Sequence, residues 1–269
     1  MTRILQLPSL NARLAAGVAY GVFCELPCAE AAELAGLAGW DFAVLDGEHA
    51  PFTAADWPRL VRAASAAGLP AIVRVASNDA AQIQHALDSG AAGVQIPQIA
   101  SPDAARRAIE AARFHPLGKR GFNPFVRAGH FSAETPAEFV ARANRETLVV
   151  LQVESADGVA AAEEIAALPG CDVLFLGPYD LSQSVGVPGQ TSHPRVLEAA
   201  SRLTAIAAAH GKAAGVFTNS LGEAALWRRA GMRYVCFSVD TVLLLNAHRQ
   251  ALAALRDADQ NPGDRGERE

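Results

Sequence analysis

Along the chain, short runs of consecutive apolar residues alternate with longer stretches in which alanine, leucine and charged residues recur at helical spacing. The apolar runs fall at 17–23, 42–46, 71–75, 93–97, 148–154, 172–177, 213–217 and 234–239. They are continuous rather than alternating, as expected of parallel strands covered on both faces. The stretches 54–67, 80–89, 102–114, 156–168, 194–210 and 221–230 read as helices, with Gly68, Gly90, Gly170, Gly211 and Gly231 near their ends, where a left-handed stop residue belongs. Eight strand–helix units in roughly 250 residues predict an α/β fold, a single closed (β/α)8 barrel. A doubly wound open sheet is the alternative, but Glu25, Leu26 and Pro27 follow the first strand in place of a glycine-rich phosphate loop. A last helix over 241–255 closes the barrel or is packed on, or swapped with, a neighbouring subunit. The barrel is expected to span 1–256, and the charged stretch 257–269, which holds no large apolar residue, to be a disordered tail. One segment resists the pattern: 115–132 is long and rich in Gly, Pro and Arg, and a loop of that length in a compact domain is usually functional.

Composition agrees with a large core and narrows the partners. Of 269 residues, 51% are hydrophobic and 19% charged, which excludes compositional disorder. A formal net charge of −5 argues against nucleic acid, where affinity rests on Lys and Arg neutralising phosphates. The four cysteines, Cys24, Cys28, Cys171 and Cys236, make no disulfide framework and imply free thiols in a reducing cytoplasm. Cys24 and Cys28 are spaced for a soft metal, but no second Cys/His pair follows, and two small packing residues are the simpler reading. The uncharged stretch 14–24 resembles a signal-peptide core, yet it is preceded by Asn11 and Arg13 and followed by Glu25. No uncharged apolar segment reaches the roughly 18 to 20 residues needed to span a membrane. Lys119 and Lys212 are the only lysines among the 23 lysine and arginine residues, a scarcity that bears on mechanism.

In a barrel, chemistry gathers at the C-terminal ends of the strands. Strand two ends in Asp46-Gly47-Glu48-His49, strand three carries Arg74, strand five ends in Gln152-Val153-Glu154, and strand six runs into Gly177-Pro178-Tyr179-Asp180. Glu154 and Asp180 form a candidate Mg2+ or Mn2+ site, since hard cations take oxygen ligands and leave positions for water and substrate. His49 and Arg74 would complete an acid/base and anion site. Each has a plainer reading: Glu154 as a helix N-terminal charge, Asp180 as a helix cap, His49 as a loop histidine, and Arg74 as an ion pair with Asp46 or Glu48. His85 and His210 read as structural.

The strings LDGEHAPF, IVRV, LDSGAAGVQIP, GKRG, LQVES and GPYDLSQSVGVPG resemble the metal-dependent class II pyruvate aldolases, the HpcH/HpaI aldolase family, over about residues 14–255. The resemblance implies retro-aldol cleavage of a 4-hydroxy-2-oxo acid to pyruvate and an aldehyde. It makes Glu154 and Asp180 the ligands of a divalent metal (Mg2+, Mn2+ or Co2+) with no organic cofactor. It places Gln152 beside the 2-oxo acid and the backbone around Gly177, Pro178, Tyr179 and Asp180 about its carboxylate. Arg74 becomes the group that stabilises the enolate oxygen, and His49 the base, oriented by Asp46 or Asp88. It also implies a hexamer in which a neighbouring chain completes the pocket, with Asp88 and the loop after Arg120 as candidates.

The residues read alone agree. Retro-aldol cleavage needs a base and an electron sink, and a Lewis acid with Arg74 is such a sink. The lysine Schiff-base solution needs an amine at a strand's C-terminal end, and neither Lys119 nor Lys212 is placed there. Tyr179, and Phe122-Asn123-Pro124-Phe125 after Arg120-Gly121, stand where the family commonly has small residues, so the aldehyde is open. Oxaloacetate decarboxylation, citrate-type condensation and acyl-CoA cleavage are alternatives within the family, although no basic cluster beyond Arg120 and Arg127 suggests a nucleotide tail. A barrel that binds a 2-oxo acid without catalysis is the alternative from another class.

Overall fold

The structure, a computed structural model, describes residues 7–260. Eight parallel strands close in chain order: β1 (Ala19–Cys24), β2 (Phe42–Asp46), β3 (Ala71–Arg74), β4 (Gly93–Ile96), β5 (Leu148–Val153), β6 (Val173–Leu176), β7 (Ala213–Thr218) and β8 (Tyr234–Val239). The seam pairs Ala19 with Tyr234 and Gly21 with Cys236. The helices expected between strands are α3 (Trp57–Ala66), α4 (Ala80–Asp88), α5 (Pro102–Ala112), α10 (Pro194–Ala209) and α11 (Leu221–Arg229), and the stretch 156–168 is divided into α7 (Ala156–Ala160) and α8 (Ala162–Ala167). Four further helices were not evident from the pattern: α1 (Leu10–Ala16), α2 (Ala29–Leu37), α6 (Pro136–Glu146) and the short α9 (Pro178–Ser184). The last helix, α12 (Asp240–Gln260), runs beyond 255 into the stretch read as a tail, and residues 261–269 lie outside the described ones.

Because successive strand residues point to opposite faces, the barrel contains two cores. Leu45, Val73, Leu151 and Leu174 face the helices. Phe23, Phe42, Val44, Ile72, Leu148, Val150, Val173, Phe175 and Tyr234 fill the interior, and Leu10 and Leu14 of α1 join them from below as a plug. This explains why part of the apparent signal-peptide core is helical. Gly21 is the one inward position of β1 that must lack a side chain: a Cβ there would lie 2.1 Å from the Phe42 ring, which stacks on Tyr234 at 4.3 Å between centroids.

Following the inward positions upward shows how the strands position chemistry. On β2 they read Phe42, Val44, Asp46; on β3, Ile72, Arg74; on β5 and just past it, Leu148, Val150, Gln152, Glu154. The apolar layers lie deep and the polar layer lies at the C-terminal rim, with Asp46 paired in register to Arg74 and Arg74 to Gln95.

Segment 115–132 lies on the opposite rim. It follows α5 and ends in a 3-10 turn, Arg127–Ser132. With α1 and α6 it borders a cavity of about 160 Å³ that includes Arg120, Arg127 and Arg142. Arg120 is paired with Asp88 at 2.6 Å, and Arg142, itself paired with Glu134, donates to the Ala128 carbonyl at 2.5 Å. These contacts hold the segment to α4 and α6.

Candidate active site

At the C-terminal rim a cavity of about 200 Å³ is lined by Phe23, Glu25, His49, Arg74, Gln152, Phe175, Gly177, Pro178, Tyr179, Asp180, Phe217 and Val239. Its core is a charged pair. Arg74 Nε donates to Asp46 Oδ1 at 2.8 Å and Nη2 to Asp46 Oδ2 at 2.6 Å, while Nη1 lies 3.1 Å from Glu48 Oε2. Asp46 is fully buried and Arg74 8% exposed. Burial works against the Arg74 charge, but the bonds and charge of Asp46, with Glu48 and Glu154, more than offset it and hold the guanidinium above its usual range. The ion-pair reading of Arg74 and its place in the cavity are therefore one arrangement. The acid partners present its charge to the pocket.

Asp46 also accepts the backbone N–H groups of Glu48 (3.0 Å) and His49 (3.3 Å), which shapes the turn that carries both residues. Its oxygens thus serve Arg74 and the main chain, and do not bond the His49 ring. The carboxylate nearest that ring is Glu48, 4.0 Å from Nε2. Burial pushes the Glu48 carboxyl up, with Arg74 and His49 partly offsetting it. Asp88 is elsewhere: it ends α4, beside Arg120, at the rim from which the strands start. Within one chain it cannot orient His49, because a helix that returns antiparallel to its strand ends below the barrel.

Glu154 and Gln152 are held by an amide relay across the interior. Tyr234 Oη donates to Gln95 Oε1 (3.4 Å), Gln95 Nε2 to Gln152 Oε1 (2.7 Å), and Gln152 Nε2 to Glu154 Oε2. The other Glu154 oxygen accepts the backbone N–H of Gln98 at 2.7 Å. Gln98 adopts a left-handed conformation (φ 58°) uncommon outside glycine, which turns its N–H towards the site. Burial pushes the Glu154 carboxyl up; these two bonds pull down, and Asp180 and Glu48 push up again. Gly177 is required beside it, because a Cβ would stand 2.6 Å from Glu154 Oε2. Asp180, exposed, lies in the first turn of α9.

Sequence reasoning missed Gln98 and Glu25. Gln98 follows β4 as Gln152 and Glu154 end β5, so its signal was a polar residue just past a strand's end. Glu25 continues the inward series Gly21, Phe23 by one step. Two histidines read as structural have such roles: His85 packs edge-on to Trp57, and His210 Nε2 lies 2.7 Å from Glu163.

Known proteins share this parallel barrel. The model of the HpcH/HpaI aldolase/citrate lyase family matches residues 19–247. A hydroxypyruvate/pyruvate aldolase of Paraburkholderia phytofirmans is 36% identical over 243 residues, 88% of this chain and 93% of that protein. The chain belongs to this family. A 5-keto-4-deoxy-D-glucarate aldolase of Shigella boydii is 35% identical over 226 residues, covering 84% of this chain and 85% of that one. Among solved structures, an HpcH/HpaI aldolase/citrate lyase family protein from Burkholderia cenocepacia superposes with a TM-score of 0.86 at 39% identity, over 92% of this chain and 98% of its own. The barrel expected from the alternation of strands and helices is that of the family, and the Paraburkholderia and Shigella relatives are aldolases.

Proposed function

We propose that the protein is a divalent-metal-dependent pyruvate aldolase, cleaving a 4-hydroxy-2-oxo acid reversibly to pyruvate and an aldehyde. The observation that carries the reading is the convergence of His49, Arg74, Gln152 and Asp180 on one rim cavity with Glu154 beside it. The donor set fits a hard cation: burial and the neighbouring Asp180 charge push the Glu154 carboxyl up, and a divalent ion held by the two carboxylates would relieve that cost. No group of three His, Cys, Asp or Glu suited to a metal occurs among the described residues, in keeping with a site of two carboxylates that leaves positions for substrate and water. Glu154 and Asp180 would hold Mg2+, Mn2+ or Co2+, and the bound ion supplies Lewis-acid polarisation of the 2-oxo acid.

The chain's own residues do the rest. The main chain around Gly177, Pro178, Tyr179 and Asp180 cradles the substrate carboxylate, and Gln152, its amide fixed by Gln95, lies beside it. His49 takes the proton from the C4 hydroxyl as the C3–C4 bond breaks. The electron pair passes to C3 and the C2 oxygen, where Arg74 stabilises the growing charge, and protonation at C3 gives pyruvate. Glu48 takes the orienting role towards His49 that Asp46 and Asp88 do not fill, while Asp46 holds Arg74. A lysine Schiff base has no amine in reach: Lys119 pairs with Glu110 at 2.8 Å, and Lys212 donates to the carbonyls of Leu168 and Cys171 below β7.

Chelation is expected to abolish pyruvate release and a divalent ion to restore it, while borohydride with pyruvate leaves the enzyme active. Irreversible inactivation by borohydride would replace this mechanism with a Schiff base. A second check is Gly177→Ala, whose added methyl displaces Glu154. Calorimetric titration should show Mn2+ affinity reduced by about tenfold or more, and unchanged affinity would remove Glu154 from the ligand set.

The reading extends to assembly. On α12, Leu244, Leu245, Leu252 and Leu255 are each about half or more exposed, an apolar face that a lone barrel leaves uncovered. It suits a helix packed on or swapped with a neighbour, in a homo-oligomer such as the hexamer that the family resemblance implies. Four free cysteines suit a reducing cytoplasm. No helix among the described residues is long and apolar enough to cross a membrane.

A further inference from the structure

The outer half of the rim cavity, where the aldehyde portion of the substrate must lie if the aldolase reading holds, has a chemistry of its own. Phe23 and Phe217 meet edge to face at 5.5 Å, and Tyr179, 48% exposed, continues the wall 6.2 Å from Phe217. Above Phe23 on the same inward line stands Glu25, one residue past β1. Its main chain is fixed: Asp240 accepts the N–H of Glu25 at 3.0 Å and of Leu26 at 3.1 Å. Among the described residues, Arg74 is the one lysine or arginine lining the cavity, and it is already engaged by Asp46 and Glu48. Of the two carboxylates lining the cavity, Asp180 is given to the metal by the aldolase reading, which leaves Glu25 with no cation of its own.

We propose that Glu25, standing over the aromatic wall of Phe23, Phe217 and Tyr179, restricts the aldehyde partner to uncharged aldehydes. The wall offers apolar contact and ring faces to a carbon chain. Among the described residues of one chain, the outer cavity holds no lysine or arginine left free to receive a second carboxylate, and Glu25 repels one at short range through a site only partly open to water. A carboxylate entering there would also lose hydration without gaining a partner.

The inference rests on the proposed aldolase activity, and the test separates the two. Metal-supplemented enzyme is given pyruvate with butanal or with succinic semialdehyde, which match in carbon number and differ by one carboxylate. The quantity read is the ratio of kcat/KM for the two aldehydes, in which any loss of folded protein cancels. The parent is expected to favour butanal at least tenfold. Glu25→Gln should lower that ratio by about tenfold, chiefly through KM for the anion, while Glu25→Asp should keep most of it. A parent that uses the two aldehydes equally, or prefers the anion, overturns the proposal, and so does a ratio unchanged in Glu25→Gln. Condensation with neither aldehyde would overturn the aldolase reading itself, and this inference with it.

Discussion

Replacing Arg74 by alanine is expected to lower retro-aldol cleavage and oxaloacetate decarboxylation together, each by about 10²- to 10³-fold. Both reactions build negative charge on the same oxygen, so a group aimed at that oxygen is needed in both. The substitution also strands Asp46, fully buried, and Glu48 without their cation. A broken buried pair costs about 3–5 kcal/mol, because the remaining charge keeps its desolvation penalty. Kinetics should therefore be read at a temperature where circular dichroism shows the variant folded. The stability deficit also has a sign in pH. Burial already raises the Glu48 carboxyl, and without the Arg74 charge that pulls it down it rises further above its unfolded value, so the variant gains relative stability as pH falls and loses it as pH rises. Arg74→Lys keeps a charge but not the two-pronged contact with Asp46, and should recover stability before it recovers rate. Retention of either activity within tenfold in folded Arg74→Ala would remove Arg74 from the reaction.

His49→Ala should instead separate the two reactions. Cleavage requires a proton to leave the C4 hydroxyl, whereas decarboxylation forms the enolate without one. Cleavage is expected to fall by about 10²-fold or more while decarboxylation stays within a few-fold of the parent. The His49 side chain is 64% exposed, so its loss should leave the melting temperature nearly unchanged. Glu48→Gln gives the companion measurement: if Glu48 orients the ring, it should shift the pH profile of cleavage and leave that of decarboxylation in place. Equal losses in both reactions for His49→Ala would mean that the ring holds substrate or water rather than moving the proton.

How far the site could be read in advance follows from two periodicities. Strand residues two apart share a face, so once 42–46, 71–75 and 148–154 were strands, Asp46, Arg74, Gln152 and Glu154 had to point inward at their upper ends. Helices return antiparallel to strands, which placed Lys212 at the lower rim and, applied as strictly, would have placed Asp88 there too. The residues that escaped depend on local geometry that no spacing reveals. Gln98 matters through a backbone N–H aimed by a left-handed φ, and whether Asp46, a candidate from the sequence, serves Arg74 or His49 is decided by the competition of Arg74 and two amides for its oxygens. The plug α1 and the extra helix α6 escaped for a different reason. Neither belongs to the repeating unit, and α6 starts at a Thr135–Glu138 capping box just past the 115–132 segment, in a stretch to which the pattern assigned no element.

The amide relay beneath the site has an evolutionary corollary. The direction is set at its acidic end: the Glu154 carboxylate only accepts, so the Gln152 nitrogen faces it, the Gln152 oxygen is left to meet the Gln95 nitrogen, and the Gln95 oxygen is left to accept from the Tyr234 hydroxyl. Reversing either glutamine would place like dipoles face to face in a wall without water. Drift at position 95, 152 or 234 is thus constrained as a set, and a lineage that replaced Tyr234 by phenylalanine would leave the buried Gln95 oxygen without its donor. Divergent relatives should accordingly exchange these three positions jointly, while the apolar layer directly below them varies one residue at a time.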